Sequence, residues 1–217
     1  MSDKSNKFGY VGADIPAQSF GNNKGVFNPA EINELVADNK WTSFGQLELI
    51  ETQVASGNPS TLDFADLGNY NVHFLTVSNF TSTSDGDGAY LRTSSDGGTT
   101  IKQSGYQTAY QTGDANGNFA ESRSTSFSRF AILGKFGTAS NEKSNAYCFL
   151  YNLTDSSKYS FTTSNLSTFN DTAEFEFRFG SSVSPVAEAV NYLQVDGGTG
   201  ATIDDGSTVS LYGIRYS

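Results

Sequence analysis

The chain has 217 residues, with 23 acidic and 13 basic side chains, a formal charge of −10, 22 glycines, one histidine and one cysteine. One His and one Cys are too few ligands for a zinc site and confine any Ser-His-Asp or Cys-His mechanism to His73 or Cys148. The charge argues against binding nucleic acid or anionic lipid, which need clustered Lys and Arg, while 17 Phe, 11 Tyr and 1 Trp supply enough apolar surface for one folded domain of about 150–200 residues.

Residues 1–27 are polar and Gly-rich, with Phe8, Tyr10, Phe20 and Phe27 at no regular period. Two readings stand: a disordered tail, or an arm that orders on a partner with those rings as anchors. The segment has no apolar stretch of signal-peptide type, and no run in the chain approaches the roughly 20 apolar residues of a membrane span. The expectation is a soluble protein made in a reducing cytoplasm.

A helix is predicted over 29–39. Asn28 suits the N-cap, Pro29 the first helical position, and Glu31 completes a capping box. Ile32, Leu35 and Val36 fall on one face. With Trp41 and Phe44 beyond it, this stripe must bury either on its own domain or on another subunit.

From Gln46 onward the pattern is strand and turn. Strands are predicted near 46–55, 60–65, 70–80, 88–95, 99–104, 126–133, 146–152, 158–163, 172–179, 189–195 and 207–216. Asp-Gly, Gly-Gly and Asn-Gly pairs between them provide the positive φ of tight hairpins. The clearest alternation places Phe175, Phe177 and Phe179 on one face of a strand and Glu174, Glu176 and Arg178 on the other, read as solvated. Tyr147, Phe149 and Tyr151 alternate with Cys148 and Leu150, as in a strand covered on both faces. The predicted fold is all-β: an antiparallel, jelly-roll-like β-sandwich over 46–217, preceded by a 1–45 segment of extended arm and short α-helix.

Few residues could carry chemistry. Asp and Asn clusters near 85–87, 114–118 and 204–205 offer oxygen ligands for Ca²⁺, but none matches a calcium-loop pattern and hairpin chemistry explains them. Glu174 and Glu176 could serve as a glycosidase pair, although strand alternation produces such a pair unaided. His73 reads as a surface or satisfied strand histidine, and Cys148 as a small buried hydrophobe. No catalytic residue, metal site or cofactor is expected. Tyr106, Tyr110 and Phe119 lie in or beside a Gly/Gln/Asn-rich stretch, 104–120, of weak strand character. They either stack on a glycan or protein surface or pack under their own loop.

The run from Gly88 to Thr100, with Ser104-Gly105-Tyr106 after it, resembles a hairpin of small virion proteins of tailed phages, especially marine and cyanobacterial ones. Val209-Ser210-Leu211-Tyr212-Gly213-Ile214-Arg215 is similar to their closing strand, and Gly25-Val26-Phe27 with Gly45 to Glu51 to their attachment segment. The resemblance implies a virion structural role, as tail fibre, appendage or head decoration, and brings no catalytic residue with it. Attachment to other virion proteins would run through Phe8, Tyr10, Phe20, Phe27, Ile32, Leu35, Val36 and Trp41. The sandwich would face outward, toward a host-surface glycan in the fibre case, and closed symmetry favours a homotrimer. A free carbohydrate-binding module is the alternative. Charge divides the same way: residues 1–45 hold 5 acidic and 4 basic groups, the remainder 18 and 9.

Overall fold

The computed structural model describes residues 29–37, 47–131 and 134–214. Helix α1 spans Pro29–Ala37, and the residues expected to end it lie outside the described ones. Ile32 and Leu35 are half-buried while Asn33, Glu34 and Ala37 are exposed, as the amphipathic spacing requires. The sandwich forms a separate unit, residues 46–216.

Twelve strands build that unit: β1 (Leu47–Val54), β2 (Thr61–Phe64), β3 (Val72–Phe80), β4 (Tyr90–Ser94), β5 (Tyr106–Asp114), β6 (Phe119–Phe127), β7 (Phe130–Ala131), β8 (Ser144–Tyr151), β9 (Tyr159–Phe169), β10 (Phe175–Ala187), β11 (Tyr192–Asp196) and β12 (Thr208–Ile214). They form an eight-stranded sheet, β1-β12-β3-β8-β9-β10-β5-β6, and a four-stranded sheet, β2-β11-β4-β7. Every strand pair is antiparallel. The fold is thus the all-β antiparallel sandwich expected, although an eight-plus-four strand order does not establish a jelly roll.

The core lies between the sheets. Phe64, Leu91, Phe130, Leu193 and Val195 of the small sheet meet Leu75, Val77, Cys148, Leu150, Val209 and Leu211 of the large one, all buried. Toward β9 and β10 the inner face turns polar, with Ser160, Thr162, Ser164, Thr168, Ser182 and Ser184 all buried. Hydroxyl pairs satisfy part of this polarity: Ser182 Oγ donates to Thr108 Oγ1 at 2.8 Å, and Ser144 Oγ lies 2.5 Å from Thr168 Oγ1.

Three strand expectations are corrected. Residues 99–104 form no strand, because Asp96 holds a turn there: its Oδ1 accepts from Thr100 N at 2.8 Å and its carbonyl from Thr99 Oγ1 at 3.1 Å. The weak stretch 104–120 instead supplies β5 and the start of β6, paired from Tyr106↔Phe127 to Gly113↔Phe119. The strand expected over 172–179 starts at Phe175, since Asn170 Oδ1 accepts from Thr172 N and Glu174 N, both at 3.0 Å, and so holds a turn there.

Candidate functional site

Alternation along β10 has the opposite sense to the one expected. Phe175 and Phe179 are 44% and 45% exposed, whereas Glu176 is 7% exposed and faces inward. Alternation separates two faces without saying which is covered. Here the 134–137 loop covers the charged side: Gly137 N donates to Phe169 O at 2.9 Å, and at Gly134 a Cβ would lie 2.7 Å from Arg178 Nη2 and 2.9 Å from Glu176 Oε1. Glycine there leaves room for the pair.

The enclosed polar cluster is cation-rich. Arg178 stands 3.7 Å from Glu176 Oε1 and 4.3 Å from the Tyr110 ring centroid. Arg129 lies 3.5 Å over the Tyr90 ring, and Asp196 receives Arg92 Nη1 at 3.1 Å and Arg129 Nη1 at 3.5 Å. Glu176 Oε1 has no hydrogen-bond donor. Burial raises the Glu176 carboxyl above its ordinary value, against the pull of Arg178. The expected solvated Glu174–Glu176 pair is therefore corrected: Glu174 precedes β10 and accepts from Asn116 Nδ2 at 2.6 Å, and Glu176 is enclosed.

The reversal leaves the aromatic face outward. In register, Leu49, Tyr212, Phe74, Phe149, Thr163, Ser181 and Ala109 form one row across the large sheet. The next row carries Tyr147, Asn165 and Phe179. Phe74 and Phe149 have ring centroids 4.9 Å apart, Tyr147 and Phe149 meet at 82°, and Phe74 reaches Tyr212 at 6.3 Å. A second group lies on β10 and its neighbours: Phe177 and Phe179 are parallel at 6.3 Å, and Phe119 stands edge-on to Phe177 at 6.2 Å. Gly113 lies between Phe177 and Phe119 in register, and a Cβ there would meet the Phe177 ring at 2.6 Å, so glycine allows both rings to lie low across the sheet.

Between the two groups runs the polar stripe Thr163, Asn165 and Ser167 of β9, and Asn165 and Ser167 line a trough of about 350 Å³ with Phe74, Thr76 and Tyr147. Beyond β10 a second trough of about 670 Å³ is lined by Gln107, Ala109, Arg123, Phe161, Ser181 and Val183. Tyr147 is 43% exposed, so the β8 strand is covered on its inner side alone, contrary to the expectation of two covered faces.

Other expected residues fall as follows. Tyr106 is 0% exposed, its hydroxyl accepting from Thr93 N at 3.0 Å; a core ring cannot stack on a ligand, so of its two readings the contact with a glycan or protein surface is corrected. Tyr110 is half-buried under Arg178. Phe119 is 75% exposed. Phe8, Tyr10, Phe20, Phe27 and Trp41 lie outside the described residues, as does the side chain of Val36 in α1. The outward rings of β3, β8, β9 and β12 were missed as a site; the signal was present in their alternation, but only strand register shows that they share one face.

His73 is buried, and its Nε2 lies 2.7 Å from Leu67 O. A carbonyl only accepts, so Nε2 carries the proton, and burial lowers the imidazole below its ordinary value. Asp114 Oδ1 accepts from Asn116 N and Asn118 N, both at 2.9 Å, and its Oδ2 from Asn118 Nδ2 at 2.8 Å; the turn engages these oxygens. Burial pushes the Cys148 thiol up to about 12. Thiol reagents should therefore label Cys148 at least about a hundredfold more slowly in the native chain than in denaturant, measured by colorimetric titration; equal rates would place the thiol at the surface.

Among the described residues, no helix is long and apolar enough to cross a membrane, and no three His, Cys, Asp or Glu side chains converge as metal ligands would. No family model, curated protein or solved structure matches the chain.

Proposed function

We propose that this chain is a non-enzymatic structural protein of a tailed-phage virion, with residues 1–45 attaching it to neighbouring virion proteins and the sandwich presented as a fibre, appendage or capsid-decoration element. The observation that carries an assembly role is the outward face of the large sheet. Monomeric proteins rarely expose contiguous apolar surface beyond a few hundred Å², and here aromatic groups recur on one face from β12 to β6. The resemblance of the 88–106 and 209–215 segments to virion proteins supplies the particle.

Mass spectrometry and antibody labelling of purified particles test this reading. The chain is expected at fixed stoichiometry in particles, and particles assembled with a chain lacking residues 1–45 should have lost it. Its presence only in the free protein of a lysate would overturn the virion role.

A carbohydrate-binding module is the second reading. The trough of about 670 Å³ favours it, since Phe161, Gln107 and Arg123 line it together with Ala109 and Ser181, a combination of ring and polar groups suited to sugars. Specific glycan-array binding that disappears in Phe161→Ala would favour it over a purely structural role.

A further inference from the structure

We infer that the outward face of the eight-stranded sheet is the contact surface for a second copy of this chain, paired face to face about a two-fold axis. This deepens the assembly reading above by naming the partner. It is tested in solution rather than on particles, so either idea can fail alone.

The first argument is charge. In the paired register the outward positions of β1 are Leu47, Leu49, Thr52 and Val54, and those of β12 are Thr208, Ser210, Tyr212 and Ile214. The pattern continues through Val72, Phe74, Thr76 and Ser78 of β3 and Asn145, Tyr147, Phe149 and Tyr151 of β8. It extends over β9, over β10 from Phe175 to Val183, and over Gln107, Ala109, Gln111 and Gly113 of β5. Across these seven adjacent strands no outward position holds Asp, Glu, Lys or Arg; the first charges, Glu121 and Arg123, stand on edge strand β6. Two copies of a chain with net charge −10 repel, and only an uncharged face lets them approach within a Debye length of about 8 Å without setting like charges opposite each other. A strongly cationic or anionic partner would find nothing on this face to pair with.

Area is the second argument. Tyr147, Phe161, Phe169, Phe175 and Phe179 are each 42–45% exposed, Phe119 is 75% exposed, and Leu47 and Leu49 are 50% and 59% exposed. With about 200 Å² per aromatic side chain, these residues present roughly 800 Å², which is what each partner contributes to a standard stable interface.

Relief is the third. The exposed Phe179 ring of β10 stands one strand beyond the trough of about 350 Å³ beside β9. An exposed ring and a trough side by side on one face can each meet the other's counterpart under a two-fold rotation, as an isologous contact requires. Sheets packed this way lie about 10 Å apart. A pair is thus inferred in place of the trimer expected on symmetry grounds.

Analytical ultracentrifugation of the full chain across a concentration series tests the proposal. The expected result is a reversible dimer, twice the 23.3 kDa chain mass. Asn165→Asp puts a charge on the face and should raise the dimer Kd at least tenfold, with recovery in high salt; Tyr147→Ser with Phe179→Ser should do the same without salt recovery. Asn165, Tyr147 and Phe179 are all exposed, so circular dichroism should show unchanged folding, and the charge variant keeps the test open if the double variant fails to fold. Hydroxyl-radical footprinting should show Tyr147 and Phe179 protected as concentration rises. A monomer at every concentration would overturn the proposal. So would a trimer, or a dimer indifferent to Asn165→Asp.

Discussion

Arg178→Ala is expected to lower the unfolding free energy by about 3 kcal/mol at neutral pH, the cost of breaking one side of a buried ion pair. Side chains of Arg178 and Glu176 are 13% and 9% exposed, so little solvent can take over the lost interaction. The variant would leave Glu176 enclosed with an oxygen that already lacks a hydrogen-bond donor, and would remove the cation from the Tyr110 ring. Burial already holds the folded-state carboxyl above its ordinary value of 4.5, and loss of the guanidinium raises it further. The native state then binds a proton that the unfolded state releases, so stability rises as pH falls through the folded value toward 4.5 and the deficit is present in full above it. Glu176→Gln in the same chain removes the carboxylate and should restore more than half of the loss at neutral pH. Urea unfolding of both variants from pH 4.5 to 8 measures this. A pH-independent deficit, or a double variant no more stable than Arg178→Ala, would show that the pair is not electrostatically enclosed.

The other large effect concerns Tyr106. Tyr106→Ala should destabilise the sandwich by about 3–5 kcal/mol, as expected when a large buried ring is removed. Its ring is edge-on to Phe130 at 4.6 Å, and its hydroxyl accepts from the Thr93 backbone amide and lies 2.8 Å from Thr93 Oγ1. Tyr106→Phe keeps the volume and loses the hydroxyl, which costs about 1–2 kcal/mol because Thr93 N–H is left buried without an acceptor. Thermal and chemical unfolding of the two variants separates packing from hydrogen bonding. Wild-type stability in Tyr106→Ala would return this ring to the surface.

That Tyr106 lies in the core rather than at a contact surface shows what the amino-acid order discloses. Apolar alternation with Asp-Gly turns made most strands legible, and the β-sandwich followed from their spacing. Alternation in β10 was equally clear, yet its inward face could not be read, because burial is decided by the loop at Gly134 and by Arg178 meeting Tyr110 from another strand. β5 and β6 were obscured for a different reason. Their Gln, Ser, Ala and Gly residues have little intrinsic preference for strands, and pairing with β10 along Glu176↔Asp114 to Val183↔Gln107 supplies the order. The uncharged face was present in the letters of seven strands, but those strands are adjacent in an order that differs from the chain order.

That order has a consequence for synthesis. β3, β8, β9, β10, β5 and β6 form a continuous run of the large sheet that needs no strand later than β10. β1 is different: among the described strands its sole neighbour in the sheet is β12, and Thr52 reaches Ser210 across 158 residues. At ribosomal rates of about 5–20 residues per second, that separation is a wait of roughly 10–30 s. During it, the first strand made has no ladder to join, and the half-built sheet ends at β3. Enrolment of β1 must therefore follow insertion of β12, so the earliest strand of the sandwich is among the last to be secured.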